Sequence, residues 1–183
     1  MEKKKIIPIT PALLENFKQF KQVVRIFEKE LNRTINVIDI IGEFEVAEKL
    51  GLKIVEDLIN PGFDAYDGDL RVQIKATRTK GITSRLSKLP TSQGSIDFDY
   101  LLFAKYKHNS DFDLEAIYKA GADSIRSYFD YINSNHLIEK RKNRKAYKDI
   151  SISQFISISE NVFDFNQNVF IKNPKYKPRK KES

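Results

Sequence analysis

The sequence predicts a layered fold of the α/β or α+β kind, because its apolar periodicity changes along the chain. Up to Leu50 the apolar residues recur at three- and four-residue steps, as on amphipathic helices. From Leu52 the period drops to two, as in strands. A helical stretch, Ala122 to Asn133, then precedes a second alternating segment, Ile150 to Ile158.

Thr10 followed by Pro11 reads as an N-cap and a first helical residue, since proline lacks only an N–H that would be unpaired there. The stripe Leu13, Leu14, Phe17, Phe20, Val23, Val24, Phe27 and Leu31 defines an N-terminal helix over 11–33. Thr34 is expected to cap a second helix, stopped by Gly51, with Val37, Ile40, Ile41, Phe44, Ala47 and Leu50 on its apolar face. Asn60-Pro61-Gly62 has turn chemistry, and Asp67-Gly68 is a strong hairpin signal.

Leu70 to Thr77 alternates as a strand, with Leu70, Val72, Ile74 and Ala76 on one side and Arg71, Gln73, Lys75 and Thr77 on the other. Thr79 to Ser95 is polar and reads as a long loop. Tyr100 to Ala104 suits a buried strand and Leu114 to Tyr118 its neighbour. Ile150 to Ile158 reads as the last strand. The core spans 34–171, joined to the N-terminal helix as a single domain, and 172–183, with two prolines and six Lys or Arg, is expected to be a basic flexible tail.

With 40% apolar and 31% charged residues, the chain still supports a globular core. Its net charge of +7 favours a polyanionic partner, the alternative being a merely self-repelling surface. The absence of cysteine excludes disulfides and thiolate metal sites. No apolar run approaches the ~20 residues of a membrane span, and no signal peptide is visible, so a cytoplasmic protein without membrane contact is expected.

The chemistry concentrates between Gly62 and Lys75. Gln73 and Lys75 stand two apart on one strand, so their side chains leave the same face. Asp64 precedes the Asp67-Gly68 turn, which folds its strand back beside them. An acid, an amide oxygen and an ammonium thus converge, as metal-assisted phosphodiester hydrolysis requires. Mg²⁺ takes hard oxygen ligands, usually one or two carboxylates plus waters. It acidifies a bound water, and a nearby lysine offsets charge on the phosphorane. On the preceding helix, at 100° per residue, Glu43 and Glu48 flank the apolar stripe on opposite sides, and Glu45 points mainly to solvent. Geometry leaves both Glu43 and Glu48 in play.

Gly62-Phe63-Asp64, with Gln73-x-Lys75 nine residues after the Asp, resembles the PD-(D/E)xK restriction-endonuclease-like superfamily, and most closely its Mrr-like branch, where glutamine replaces the usual acid. Ile41-Gly42-Glu43 through Leu50 is similar to the acidic helix of that family, and this likeness selects Glu43. The resemblance runs from about Ile35 to about Ile158. It implies a three-layer fold, a central mixed sheet flanked by helices, with the N-terminal helix added. It also implies a Mg²⁺- or Mn²⁺-dependent nuclease, with Asp64, Gln73 and Glu43 as metal ligands and Lys75 positioning the water. A restriction, defence or repair setting follows by analogy.

DNA is the expected partner, with RNA left open, and a homodimer would place one site on each strand. Arg78, Lys80, Arg85 and Lys88 follow the active strand and are candidates to grip flanking phosphates, as is the basic run Lys140, Arg141, Lys142, Arg144 and Lys145. Asp67 and Asp69 read as turn formers, His108 and His136 as surface residues, and the 21 Tyr and Phe mostly as core. The rival readings are a nucleic-acid-binding module that does not cut and a protein-interaction domain.

Overall fold

The structure, a computed structural model, describes residues 5–56, 62–78, 96–108, 111–132 and 150–177, and the backbone alone of 85–86. In chain order the described elements are β1 (Ile6–Ile7), α1 (Pro11–Leu31), α2 (Ile38–Leu50), β2 (Lys53–Val55), β3 (Ala65–Asp67), β4 (Leu70–Thr77), β5 (Arg85–Leu86), β6 (Tyr100–Tyr106), β7 (Leu114–Gly121), α3 (Ala122–Ile132), β8 (Ile150–Ser151), α4 (Ile152–Ile158), β9 (Asn161–Asp164) and β10 (Val169–Lys172).

Among the described residues, eight strands form one mixed sheet in the order β1-β2-β3-β4-β6-β7-β9-β10, and β5 pairs with β8 apart from it. The β4–β6 pair is parallel and the others are antiparallel. Strand alternation divides the core in two. Val72, Ile74, Tyr100, Leu102 and Ala104 pack with Val24 of α1 and Ile41, Val46 and Ala47 of α2. Leu101, Phe103, Tyr118 and Ala120 pack with Ile125 and Phe129 of α3 and Ile152, Phe155 and Ile156 of α4. Helices therefore cover both faces of the sheet, and central strands such as β6 are apolar on both sides, as two-sided burial demands.

The Thr10 cap is present, its hydroxyl accepting the Leu13 N–H at 3.1 Å. α1 ends at Leu31, two residues short of the expected boundary, because Asn32 takes a left-handed conformation (φ +48°). The expected Thr34 cap is not used. α2 starts at Ile38 after Val37, which makes no side-chain cap. The Glu28 carboxylate accepts the Ile35 N–H at 2.8 Å and holds that linker on α1. Ile40, placed on the apolar face, is 49% exposed. In the β3–β4 hairpin Asp67 pairs with Leu70, so the two turn residues are Gly68 and Asp69, with Gly68 at φ +61°.

Two expectations for the C-terminal third are corrected. Ile152–Ile158 is a helix, not a strand. The Ser151 hydroxyl accepts the Gln154 N–H, while the Gln154 side chain accepts the Ser151 N–H. The sheet closes instead with β9 and β10, which lie beyond the alternating segment. The tail expected from Lys172 begins inside the fold. Lys172 pairs with Asn161, and the buried Asn173 amide donates to Ile156 O at 2.7 Å and Ser159 O at 2.9 Å. The Lys177 N–H bonds Ser157 O at 2.8 Å. The expected loop at 79–95 carries β5 at its middle, and the rest of it, like Asn60, Pro61, His136 and 178–183, lies outside the described residues. No helix among the described residues is long and apolar enough to cross a membrane.

Candidate active site

The β3–β4 ladder ends at Ala65 opposite Val72, while β4 continues to Thr77. Backbone groups of one residue in a strand point to the same side. Val72 O accepts the Asp64 N–H at 2.8 Å, so the next group facing that side is the Ile74 N–H. β3 no longer supplies an acceptor for it. The Asp64 carboxylate does, Oδ2 receiving the Ile74 N–H at 2.7 Å. The same Oδ2 accepts from the Gln73 side-chain amide. Departure of β3 from β4 thus opens a gap, and Asp64 is pinned at its edge.

Gln73 and Lys75 leave β4 on the face shared with their register partners Leu101 and Phe103. Gln73 is buried, and its nitrogen, besides meeting Asp64, lies 3.4 Å from Ile74 O. The amide therefore supports the acid directly, a role the bare spacing did not indicate. Lys75 is half-buried.

Glu43 comes from α2, which packs on the other face of β4, and lies near enough for the charges of Asp64 and Lys75 to act on it. A Cβ at Gly42 would overlap Ala76 Cβ, so only glycine lets the helix lie this close to β4. The next residue is thereby delivered to the sheet. Burial, then the charge of Asp64, raises the Glu43 carboxyl to about 7, with Lys75 opposing and Asp39 adding to the rise. Burial likewise raises Asp64, opposed by the Ile74 N–H and Lys75 and reinforced by Asp39. Glu48, the other flank, is exposed.

Asp39 escaped the sequence reading. It stands one turn before Glu43, and that i, i+4 spacing was the available signal. Among the described residues no group of three or more His, Cys, Asp and Glu is disposed to hold a metal ion. The oxygen donors brought together are two carboxylates, Glu43 and Asp64, beside one amide.

Glu45 does not point to solvent. It accepts from Lys21 of α1 and, at 2.7 Å, from the Tyr106 hydroxyl of β6, because α1 lies over that side of α2. Arg78, expected to grip phosphate, has a side chain only 11% exposed, is paired with Glu28 and lies over the Phe112 ring at 4.3 Å. Burial raises the Glu28 carboxyl, but its bonds to Arg78 and the Ile35 N–H and the Arg78 charge together hold it below its ordinary value. Arg85 lies on β5 with its backbone paired to Ser151. Lys80, Lys88, Lys140, Arg141, Lys142, Arg144 and Lys145 lie outside the described residues. His108 is exposed, as expected, and Asp67 accepts the Tyr100 hydroxyl at 2.8 Å.

A separate cavity of about 460 Å³ is lined by Arg71, Asp99, Ser124, Arg126 and Glu160 among others. Arg71 pairs there with Asp99, and Glu160 accepts the Gly121 N–H at 3.1 Å at the start of α3. The chain matches no protein-family model, and no curated protein is detectably similar to it.

Proposed function

We propose that the chain is a divalent-metal-dependent nuclease of the restriction-endonuclease-like, PD-(D/E)xK type, hydrolysing phosphodiester bonds in DNA. The observation that carries this reading is the meeting of Glu43, Asp64 and Lys75 at the gap between β3 and β4. Two carboxylates there are raised by burial, Glu43 further by the charges of Asp64 and Asp39 and Asp64 by that of Asp39. Such a pair is stabilised by a cation more positive than one ammonium. The donors are hard oxygens, and two carboxylates with open positions for water suit Mg²⁺ or Mn²⁺.

Glu43 and Asp64 would hold the ion, and Gln73, whose nitrogen donates to Asp64, would offer its amide oxygen as a further ligand. Bound there, the ion supplies polarisation of the scissile phosphate and a water of lowered pKa. Lys75 donates to the attacking water and offsets the charge that grows on the phosphate oxygens. The Ile74 N–H orients Asp64 and opposes the rise that burial imposes on its carboxyl. The net positive charge of the chain matches a polyanionic substrate.

The direct test is supercoiled plasmid with and without Mg²⁺ or Mn²⁺, against the Asp64→Ala protein. Metal-dependent nicking lost in the variant is expected; cutting that survives in EDTA sinks the metal mechanism. One observation favours a second reading, a domain that binds nucleic acid without cutting it: the neutral Gln73 amide spends its nitrogen on Asp64 and adds no charge to the site. Binding in Ca²⁺ with no turnover in either Mg²⁺ or Mn²⁺ would select it.

A further inference from the structure

The register of the sheet carries the row of Lys75 onward across two more strands. Lys75 of β4 pairs with Phe103 of β6, and Phe103 pairs with Tyr118 of β7. Two residues further along β4, Thr77 pairs with Lys105. Paired residues share a face, so Lys105 and Tyr118 stand on the same side of the sheet as Lys75. At ~4.8 Å between strands and ~6.6 Å for two residues along one, the Lys75 and Lys105 Cα atoms are about 8 Å apart. That interval spans about two nucleotides of one strand, at ~3.4 Å of axis each. Arg78, the next cation along β4, is spent on Glu28.

Both groups have bonding capacity to spare. Tyr100 and Tyr106, also buried in this sheet, each donate to a carboxylate, Asp67 at 2.8 Å and Glu45 at 2.7 Å. Tyr118 makes no such bond among the described residues, although its ring is packed in place on Phe103. The buried side-chain polar atom left without a partner among them is Arg25 Nε, so the Tyr118 hydroxyl opens to the surface. Burial raises that hydroxyl, with the Lys105 charge opposing and the Glu115 charge adding to the rise, which puts both charged groups within its reach. Lys105 meets Glu115 at 2.7 Å, where the β6–β7 register shifts after Lys105. Their side chains are 26% and 42% exposed. An ion pair so placed is weak, and a phosphate can displace the acid.

We propose that Lys105 and Tyr118 bind a second phosphate of the nucleic-acid strand, close to the scissile one, the ammonium supplying charge and the hydroxyl a directed hydrogen bond. The inference rests on the nuclease reading and deepens it, since it lays the strand across β4, β6 and β7 on the Lys75 face. Phosphate contacts of this kind fix the register and orientation of the substrate and read no base. Glu115 holds the lysine until the phosphate arrives.

The test is binding of a short fluorescent DNA duplex to the full chain in Ca²⁺, followed against salt concentration. Lys105→Gln should reduce the salt slope by ~0.9, and Lys105→Arg should restore it. Tyr118→Phe keeps the ring and should weaken binding about 10-fold, the worth of a hydrogen bond to a charged group, with the slope unchanged. Glu115→Gln should tighten binding more than Glu15→Gln, which removes the same charge beside Lys18 on α1. Should Tyr118→Phe disturb the core, the two Lys105 variants decide the matter, with circular dichroism confirming that they fold. A wild-type slope in Lys105→Gln, or wild-type affinity in a folded Tyr118→Phe, overturns this subsite, and metal-dependent nicking of plasmid by those same proteins would leave the nuclease reading standing. A wild-type chain that binds no duplex in Ca²⁺ overturns both.

Discussion

The Asp64 carboxylate accepts the Ile74 backbone N–H at 2.7 Å, in the position that β3 vacates on leaving β4. One side chain thereby closes a ladder and supplies one of the two carboxylates of the proposed metal site. Asp64→Asn keeps an acceptor for that N–H and removes the charge. It should fold, lose metal-dependent cleavage, and match wild type or exceed it in stability at neutral pH. Asp64→Ala leaves the buried N–H unsatisfied and should lie about 1–3 kcal/mol below Asp64→Asn in urea unfolding. Equal stability of the two variants would remove the structural half of this role.

Glu43 gives the metal-free protein a pH signature. Its carboxyl stands at about 7 in the fold against about 4.3 in an unfolded chain. Between those values the native state holds the proton that the unfolded state has released. Stability is therefore full below the unfolded value and falls as pH rises through about 7, by roughly 4 kcal/mol in the limit. Asp64, raised for the same chief reason, acts in the same direction. Glu43→Gln should melt higher than wild type at pH 8 without metal, and the two should converge near pH 4, below the unfolded value. Mg²⁺ should raise the wild-type melting temperature at pH 8 and leave Glu43→Gln unmoved. An identical pH profile for both proteins would place Glu43 outside the site.

Gly42 tests how the acid is delivered. Alanine is a better helix former by about 1 kcal/mol, yet its methyl would overlap Ala76. Overpacking of this kind costs about 1–3 kcal/mol, so Gly42→Ala should be net destabilising and should lower cleavage by withdrawing Glu43. Adding Ala76→Gly makes room again. Recovery of cleavage in the double variant is the expected outcome, and additive losses would show that the close approach is not what matters.

Arg78 separates a structural cation from a phosphate contact. Its pair with Glu28 is largely buried, and removing one partner of such a pair costs about 3 kcal/mol. Arg78→Ala should lose stability on that scale while the salt slope of DNA binding stays where it was. A slope reduced by ~0.9 would mean that the guanidinium touches a phosphate. Neutralising Lys140, Arg141 and Lys142 together is the complementary variant, for which a flatter slope is expected.

By itself the sequence determined those features whose cause is local. The Asp67–Leu70 hairpin follows from Gly68, the common face of Gln73 and Lys75 from the period of a strand, and the start of α1 from Thr10 and Pro11. Only the tertiary structure decided where two local patterns compete or where a partner is distant in sequence. Ile150 to Ile158 alternates, but Ile152, Phe155 and Ile156 also satisfy a helical step; packing against Phe103 and α3, with the Ser151–Gln154 cap, selects the helix. Glu45 turns inward because α1 lies over it, Arg78 because Glu28 and Phe112 wait for it. Glu43 and Glu48 are equivalent on an isolated helix. The contact of Gly42 with Ala76 breaks that equivalence, since periodicity sets which residues share a face but not what the face meets.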